Sequence, residues 1–432
     1  MSRTACLVAL LACSAADLRA APCVGLRTSG AIVRVCDTTM HDRYSARVAF
    51  SPASLRYLVV WSEYVGSATG ADILYRFVDD SATPQGLPAP LVTKVNAQSD
   101  PDVAWDGTGN QFLAVWSSQE AVIGCYGRTV TGAGTLGASD FLIHTGGVDP
   151  RVAYGTSGDR YLVTVRGAGC TGRRVDPAGA PDGSSFSINT AGVVAPNGDV
   201  AYDSNNSRFL AVWRDQAANA NNVQGRLVKS NGTFMGSQFI VANTFPSAMA
   251  VAYNPSAANF LVVFDTFDNT GLRAQLVTGG GTPLGNTVHI TDDDVAAPRV
   301  AYDPHRELYV VVGQQSGSIV AYAVTADGVV AVDRVVVAQG TDGVLPDVAY
   351  NSAADECLVV WRDQTGGSAS RVACRRLTFG AGSLECTVAA CGSSLCGVGF
   401  GPVVGVALVG LMAWRRVGRL DRGNSRRRSS TA

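Results

Sequence analysis

A short pattern, Val-Ala followed by an aromatic residue, occurs seven times along the chain at a nearly constant spacing. Neighbouring copies are 48 to 55 residues apart, and a second apolar run such as FLAVW or YLVVW begins seven residues after each aromatic. A sequence period near 50 residues indicates a repeat architecture. The copies are VAF at 48, VAW at 103, and VAY at 152, 200, 251, 300 and 348.

The residues around these runs predict four antiparallel strands in every repeat. Turn sequences such as DSNNSR and DGTGNQ separate the first two runs, which is typical of a tight hairpin. A third strand follows, often with Gly-Arg, and a fourth precedes the next copy. Val, Thr, Tyr and Gly are common while only two lysines are present, which favours strands and turns over helices. The sequence therefore predicts an all-β fold, a seven-bladed β-propeller over residues 22–380.

A spare strand precedes the first repeat. Residues 31–36, AIVRVC, have the register of a fourth strand, whereas the seventh repeat runs from its third strand into a Cys-containing segment. We expect residues 31–36 to complete the seventh blade, because such a latch removes the exposed edges of an open ring.

The connections between strands differ in how constant they are. The first connection has one length in all seven repeats, whereas the second-to-third and fourth-to-first connections vary. Both variable connections emerge on the same face of an up-and-down blade, and variable loops on a rigid scaffold usually carry binding. We predict a ligand-binding face there, formed by Asp215, Gln216, Asp292, Asp293, Asp294, Asp342, Asp363 and Gln364.

Two features of this face have alternative interpretations. The tetrapeptide WRDQ occurs at 213–216 and at 361–364, so its Trp is predicted to be core and its Asp to accept backbone N–H bonds in a turn. The run 292–294 is either a solvated acidic turn or a Ca²⁺ site completed by backbone carbonyls.

The N-terminal residues 1–21, MSRTACLVALLACSAADLRAA, have the layout of a secretory signal peptide: an Arg, a short apolar run and small residues. A lipoprotein signal is the alternative, because LLAC places a leucine three residues before Cys13. Either interpretation predicts export.

The C-terminal segment has an ordered set of parts. A Cys-containing linker (381–396) precedes an uncharged apolar run of 18 residues (397–414), which is near the minimum for a transmembrane helix. An Arg-rich end (415–432) follows and predicts a cytoplasmic C-terminus. This order resembles the MYXO-CTERM class of bacterial sorting tails. The resemblance implies anchoring at the cell envelope or cell surface after processing at a Cys before the helix, for which Cys391 and Cys396 match. A plain membrane anchor is the alternative.

Export permits disulfides. Cys357 and Cys374 flank a predicted hairpin, and Cys125 and Cys170 occupy equivalent positions in neighbouring repeats. We predict these two pairs.

Catalytic motifs are absent from the sequence. The four histidines have no metal-ligand spacing, and no phosphate loop, nucleophile elbow or CxxC pair occurs. The chain has a net charge of −1, but its Arg-rich end is positive and the rest of the chain is therefore acidic. An acidic domain gives no reason to expect nucleic-acid binding. The recurrent third-strand arginines are predicted to form salt bridges or stacks at blade edges; they are Arg76, Arg128, Arg173, Arg226 and Arg375.

These observations favour a monomeric, non-enzymatic binding scaffold for a protein or glycan ligand, without a metal or other cofactor. The first alternative is a propeller-type glycan hydrolase or lyase, which needs at least two acidic groups converging near the central axis. The second is a structural spacer of the envelope.

Overall fold

The computed structural model describes residues 24–37, 41–66, 70–189, 198–216, 222–266, 271–365 and 370–381. Within them, strands β1 to β28 form seven four-stranded antiparallel sheets, here called blades 1 to 7. The predicted signal peptide, most of the Cys-containing linker, the apolar segment 397–414 and the Arg-rich end lie outside the described residues. Among the described residues, no helix is long and apolar enough to cross a membrane.

The strands follow the predicted order, with each blade built from consecutive strands except the last. Their bounds are β2 Arg43–Ser51, β3 Arg56–Gly66, β4 Gly70–Asp79 and β5 Pro84–Val92 in blade 1; β6 Gln98–Asp106, β7 Gln111–Ser118, β8 Gly124–Thr131 and β9 Phe141–Thr145 in blade 2; β10 Val148–Gly155, β11 Arg160–Arg166, β12 Cys170–Val175 and β13 Pro181–Ser187 in blade 3; β14 Asp199–Asp203, β15 Arg208–Asp215, β16 Asn222–Lys229 and β17 Phe234–Ala242 in blade 4; β18 Met249–Asn254, β19 Asn259–Asp265, β20 Leu272–Thr278 and β21 Pro283–Thr291 in blade 5; β22 Ala296–Asp303, β23 Leu308–Gln315, β24 Ser318–Thr325 and β25 Val330–Ala338 in blade 6; and β26 Val344–Asn351, β27 Glu356–Asp363, β28 Arg371–Ala381 and β1 Val24–Cys36 in blade 7.

The predicted latch is confirmed and is longer than expected. Strand β1 begins at Val24 rather than at residue 31, and it pairs with β28 from Val24↔Ala381 to Cys36↔Val372. Blade 7 therefore has four strands, one of which comes from the other end of the chain, and β1 covers the edge that β28 would otherwise expose.

A buried polar lock holds blade 1 to blade 7. Arg43 is fully buried. Its backbone N–H donates to Ser370 Oγ at 2.6 Å, and its Nη1 donates to the Ser370 carbonyl oxygen at 2.6 Å. Its Nε and Nη2 donate to the two carboxylate oxygens of Glu63 at 2.9 and 3.1 Å. Because a bidentate pair satisfies the buried charge, the lock joins residues 327 positions apart without leaving an unpaired ion.

The face that carries the first and third connections, here called the turn face, is uniform. In all seven blades the residue before the second strand has positive φ between 50° and 56°, and in six blades the third connection closes with a backbone N–H donating to the carbonyl four residues later. Buried side chains at the end of the first strand accept the turn N–H groups, as Asp106 does from Thr108 and Gly109. The seven residues with positive φ are Leu55, Asn110, Asp159, Ser207, Ala258, Glu307 and Asp355.

Gly155 is the one residue at this end-of-strand position that has no side chain, and packing explains it. A Cβ there would lie 2.6 Å from the Phe209 ring and 2.8 Å from the Tyr202 ring of blade 4. We expect Gly155→Ala to lower the free energy of unfolding by about 1–3 kcal/mol, the usual cost of overpacking a core. Chemical denaturation measures this. Gly107→Ala is the matched control, because its Cβ would meet only Trp105 Nε1 at 3.7 Å; equal losses would contradict the packing argument.

The aromatic residues that end the second strands are core, as predicted. Trp61, Trp116, Trp213, Phe264 and Trp361 are at most 1% exposed. First-strand aromatics pack against the residue that begins the second strand, as in the Tyr202–Phe209 pair with ring centroids 4.9 Å apart. WRDQ therefore begins in the blade core, and its Trp contributes packing rather than ligand contact.

The third-strand arginines join blades through main-chain carbonyls, so the predicted salt bridges at these positions are wrong. In five blades, Nη1 donates at 2.6–2.8 Å to a carbonyl in or directly after the fourth strand of the preceding blade. A stack is present for Arg226, which lies 3.5 Å from the Phe234 ring centroid. The bonds are Arg76–Val35, Arg128–Leu91, Arg173–Ile143, Arg226–Ile188 and Arg375–Val337.

Both predicted disulfides are wrong. Cys357 pairs in register with Leu377 and Cys374 with Val360, so the two cysteines lie on opposite faces of blade 7 and in different core clusters. Cys125 packs between blades 2 and 3, and Cys170 between blades 3 and 4. Equivalent positions in neighbouring blades point in the same direction around the ring, so they never face each other.

These four thiols are buried, and burial raises the pKa of Cys170 and of Cys374 to about 12. We expect Cys125, Cys170, Cys357 and Cys374 to resist alkylation in the native protein and to react completely in denaturant, because a thiolate must form and be reached. Peptide mapping by mass spectrometry measures this. Disulfide-linked peptides joining either predicted pair in the non-reduced map would contradict the structure.

Candidate functional site: the channel and the loop face

Charged side chains alternate around the central axis of the propeller. They occupy the position directly before six of the seven Val-Ala-aromatic copies, on the innermost strand of the blade. We call the seven residues at this position the axial ring. In blade order it consists of Arg47, Asp102, Arg151, Asp199, Ala250, Arg299 and Asp347.

The ring charges act on one another across the channel. Burial lowers the pKa of Arg47 to about 9, with Arg299 and Arg151 adding to the effect and Asp347 and Asp102 opposing it. Arg47 therefore responds to side chains from blades 2, 3, 6 and 7, which is a geometry that only the common axis provides. A guanidinium with this pKa stays charged at neutral pH, and the ring places three arginines and three aspartates around the axis.

Ala250 interrupts the alternation of charges in the axial ring, which has an odd number of positions. Seven positions on a closed ring cannot alternate between two signs without one like-charged pair, and blade 5 supplies a neutral residue instead. Arg299 extends over this gap, since its Nη1 lies 3.3 Å from the Met249 carbonyl, while its Nε is 3.9 Å from Asp347. Ala250 itself is 1% exposed.

Each ring aspartate also binds the next blade through the backbone. Val48, Val152 and Val251 donate their backbone N–H groups at 2.9 Å to Asp347, Asp102 and Asp199 respectively. Burial raises the pKa of Asp199 and of Asp347, and the facing arginines oppose the effect. Because these carboxylates are committed to backbone donors and arginines, they stabilise the inner ring of strands.

A second pair of carboxylates lies two positions before the ring residues, toward the variable loops. Asp100 of blade 2 and Asp149 of blade 3 have positive φ, 51° and 49°. Burial raises the pKa of Asp100, and the Asp149 carboxylate raises it further. Asp149 is paired with Arg166, whose Nε lies 2.5 Å from Oδ2. The two carboxyl groups therefore interact, and Asp149 has an arginine partner in addition.

The face with the second and fourth connections, here called the loop face, carries all eight sequence-predicted binding residues, with unequal exposure. Asp215 and Asp363 are buried, Gln364 is half-buried and Gln216 and Asp342 are exposed. Asp363 accepts the Thr365 N–H at 2.8 Å and pairs with Arg34 of the latch strand. It therefore has the turn role predicted for the WRDQ aspartate.

The acidic run 292–294 is exposed, and its first member already has partners. Asp292 accepts from Arg273 Nη2 at 3.0 Å and lies 2.6 Å from His289 Nε2, contacts that lower the pKa of Asp292. Asp293 and Asp294 are exposed beside it. Among the residues that the structure describes, no group of three or more His, Cys, Asp or Glu side chains has metal-site geometry.

Apolar and aromatic side chains are exposed in another sector of the loop face, which the sequence reasoning missed. Val95 is 65% exposed in the connection entering blade 2, and Ile123 is 55% exposed in the connection between β7 and β8. The two connections are joined by a Gln119 N–H to Ala97 carbonyl bond of 2.9 Å. We call the exposed members the apolar sector: Tyr44, Tyr64, Val95, Val122 and Ile123.

No protein-family model matches the chain, and no curated protein matches it. Solved structures show similarity of fold. A Dyadobacter fermentans protein of unknown function matches with TM-score 0.53 and 13% identity over 82% of this chain and 100% of that one. The β-propeller domain of Myceliophteria thermophila Cps50 (Swd1) matches with TM-score 0.51 and 9% identity, over 78% of this chain and 99% of that one. Kuenenia stuttgartiensis hydrazine synthase matches with TM-score 0.50 and 12% identity, over 73% of this chain and 92% of that one. Identities this low support the propeller architecture alone.

Proposed function

We propose that this chain is a binding module anchored to the cell envelope, in which a closed propeller holds a protein or glycan ligand on its loop face. The observation that carries the proposal is the contrast between the two faces. The connections of the turn face have the same backbone conformation and hydrogen bonds from blade to blade. The loop face instead combines connections of different length with exposed apolar side chains.

The side chains on the loop face suit recognition. Exposed tyrosines and aliphatic groups in blades 1 and 2 provide contact area, and exposed carboxylates at Asp293, Asp294 and Asp342, in the connections after blades 5 and 6, provide polar contacts on the same face. The anchoring part of the proposal rests on the order of parts in residues 381–432 and on their resemblance to bacterial sorting tails.

The test compares two exposed valines on opposite faces. Val95 lies on the loop face and Val329 on the turn face, 65% and 55% exposed. We expect Val95→Asp to weaken ligand binding at least about tenfold and Val329→Asp to leave it unchanged, since a charge in an apolar contact costs more than about 1.4 kcal/mol. A glycan array and cross-linked pull-down with residues 22–385 provide the ligand, and titration measures the affinity. Equal effects of both substitutions would contradict the proposal.

One observation favours a second candidate function, a glycan hydrolase or lyase. Asp100 and Asp149 come from neighbouring inner strands, and burial and the Asp149 carboxylate together raise the pKa of Asp100. A carboxyl with a raised pKa suits a general acid, and Asp149, which is paired with Arg166, is the second carboxyl group beside it.

Asp100→Asn separates the two candidates. An enzyme would lose about 10²-fold or more in turnover of a glycan substrate, because general acid catalysis contributes about that much. A binding module would keep its affinity and show no turnover in either form. Reducing-sugar release from a panel of polysaccharides, with the intact chain and the variant side by side, measures this.

A further inference from the structure

Both ends of the propeller domain leave it on the turn face. Strand β28 is the third strand of blade 7 and runs from the loop face to the turn face, while β1 is the fourth and runs back. Their pairing begins at Val24↔Ala381, so the chain enters β1 and leaves β28 at adjacent positions. Whatever precedes Val24 or follows Ala381 therefore starts from the turn face.

The loop face lies at the other end of the same strands. The eight residues of β16 run from the loop face at Asn222 to the turn face at Lys229, a distance of about 24 Å at 3.4 Å per step. The variable loops and the two chain ends are thus separated by the full height of a blade.

We propose that the anchored protein presents its loop face outward, with the turn face toward the surface to which it is attached. This inference rests on the anchoring in the proposed function. Sixteen residues of unstructured chain have a root-mean-square span of about 20–24 Å, and the linker predicted from the sequence, residues 381–396, has that number of residues. The turn face is then held too near the surface to admit a macromolecule, and a ligand reaches the loop face from outside the cell. The proposal also accounts for the uniform turn face, because a face with no ligand has no need of varied loops.

The test places one epitope tag at either end of β16 in the full-length chain. The loop-face tag is inserted between β15 and β16, and the turn-face tag between Asn231 and Gly232 in the turn that joins β16 to β17. Binding of a Fab fragment is measured on intact cells that display the chain and again after detergent release. Unfolding temperatures of both released proteins establish that the insertions are tolerated.

We expect the Fab to bind the loop-face tag on intact cells and to lose binding at the turn-face tag, with equal binding to both after release. Equal binding to both tags on intact cells, with the chain still in the membrane fraction, would overturn the orientation and leave the anchoring intact. Recovery of the chain only in the soluble fraction would instead contradict the anchoring on which the orientation rests.

Discussion

Asp347→Ala is expected to lower the free energy of unfolding by about 3–5 kcal/mol, the usual cost of removing one partner from a buried ionic arrangement. Asp347 faces Arg47 and Arg299, and its carboxylate accepts the Val48 N–H that joins blade 7 to blade 1. The substitution leaves two guanidinium groups short of a counter-charge and one backbone donor unpaired. Denaturant titration followed by tryptophan fluorescence measures the loss.

Two further variants separate the charge from the backbone bond. Asp347→Asn keeps an acceptor for Val48, so it is expected to lose less than Asp347→Ala. Exposed Asp294→Ala is the matched control and should stay within about 0.5 kcal/mol of the wild type. A loss for Asp347→Ala no larger than that of Asp294→Ala would contradict a structural role for the axial ring.

The pH dependence of the same pair of proteins has a defined sign. Burial raises the pKa of Asp347 above its ordinary 3.8, so the folded state holds this proton more tightly than the unfolded state does. The stability of wild type relative to Asp347→Asn is therefore greatest in acid and decreases as pH rises through the interval above 3.8. Thermal unfolding between acid and neutral pH measures the difference, and the opposite slope would contradict the raised pKa.

Deleting the latch strand, residues 24–36, is expected to abolish the cooperative folded state. Strand β1 covers the edge of β28, and it contributes buried Leu26, Val35 and Cys36 to cores on both sides of blade 7. Without it the ring exposes a long strand edge and an apolar surface, a combination that leads to aggregation. Size-exclusion chromatography and calorimetry measure the loss.

Supplying the strand as a separate peptide makes this deletion informative. A peptide of residues 22–38 is expected to restore a soluble, cooperatively unfolding protein, because the latch is held by backbone pairing and side-chain packing rather than by chain continuity. A peptide carrying Val33→Asp and Val35→Asp is the control and should fail. Cooperative unfolding of the deleted chain without peptide would contradict the role of β1 in closure.

The architecture was predictable because its signal is repeated seven times. A constant offset between two apolar runs fixed the inner hairpins, and the missing fourth strand of the last repeat pointed to residues 31–36 as its replacement. The five aromatics on the second strands of blades 1, 2, 4, 5 and 7 were correctly assigned to the core. In each case local pattern and global closure required the same structure.

The axial ring was missed although its signal is visible in the printed sequence. The position before each Val-Ala-aromatic copy reads Arg, Asp, Arg, Asp, Ala, Arg, Asp in order. The interaction between these charges depends on residues up to 300 positions apart, Arg47 to Asp347, lying together at the axis. The disulfide predictions failed for a related reason, since sequence equivalence between repeats gives the same direction around the ring and therefore no contact.

Exposure on the loop face was also beyond the sequence pattern. Asp363 is buried because Arg34 reaches it from the latch strand at the other end of the chain. The exposed apolar sector depends on how the connections entering blade 2 and joining β7 to β8 lie against each other. Both depend on contacts between segments that vary from blade to blade, which the repeat does not encode.

Site-specific photo-crosslinking tests the binding face most directly, because it requires no knowledge of the ligand. A photoreactive benzoylphenylalanine replaces exposed Val95 on the loop face or exposed Val329 on the turn face of the full-length chain, and cells that display each form are irradiated. We expect discrete higher-mass adducts from position 95 that position 329 does not give. Adducts from position 329 alone, or none from position 95, would contradict a ligand-binding loop face.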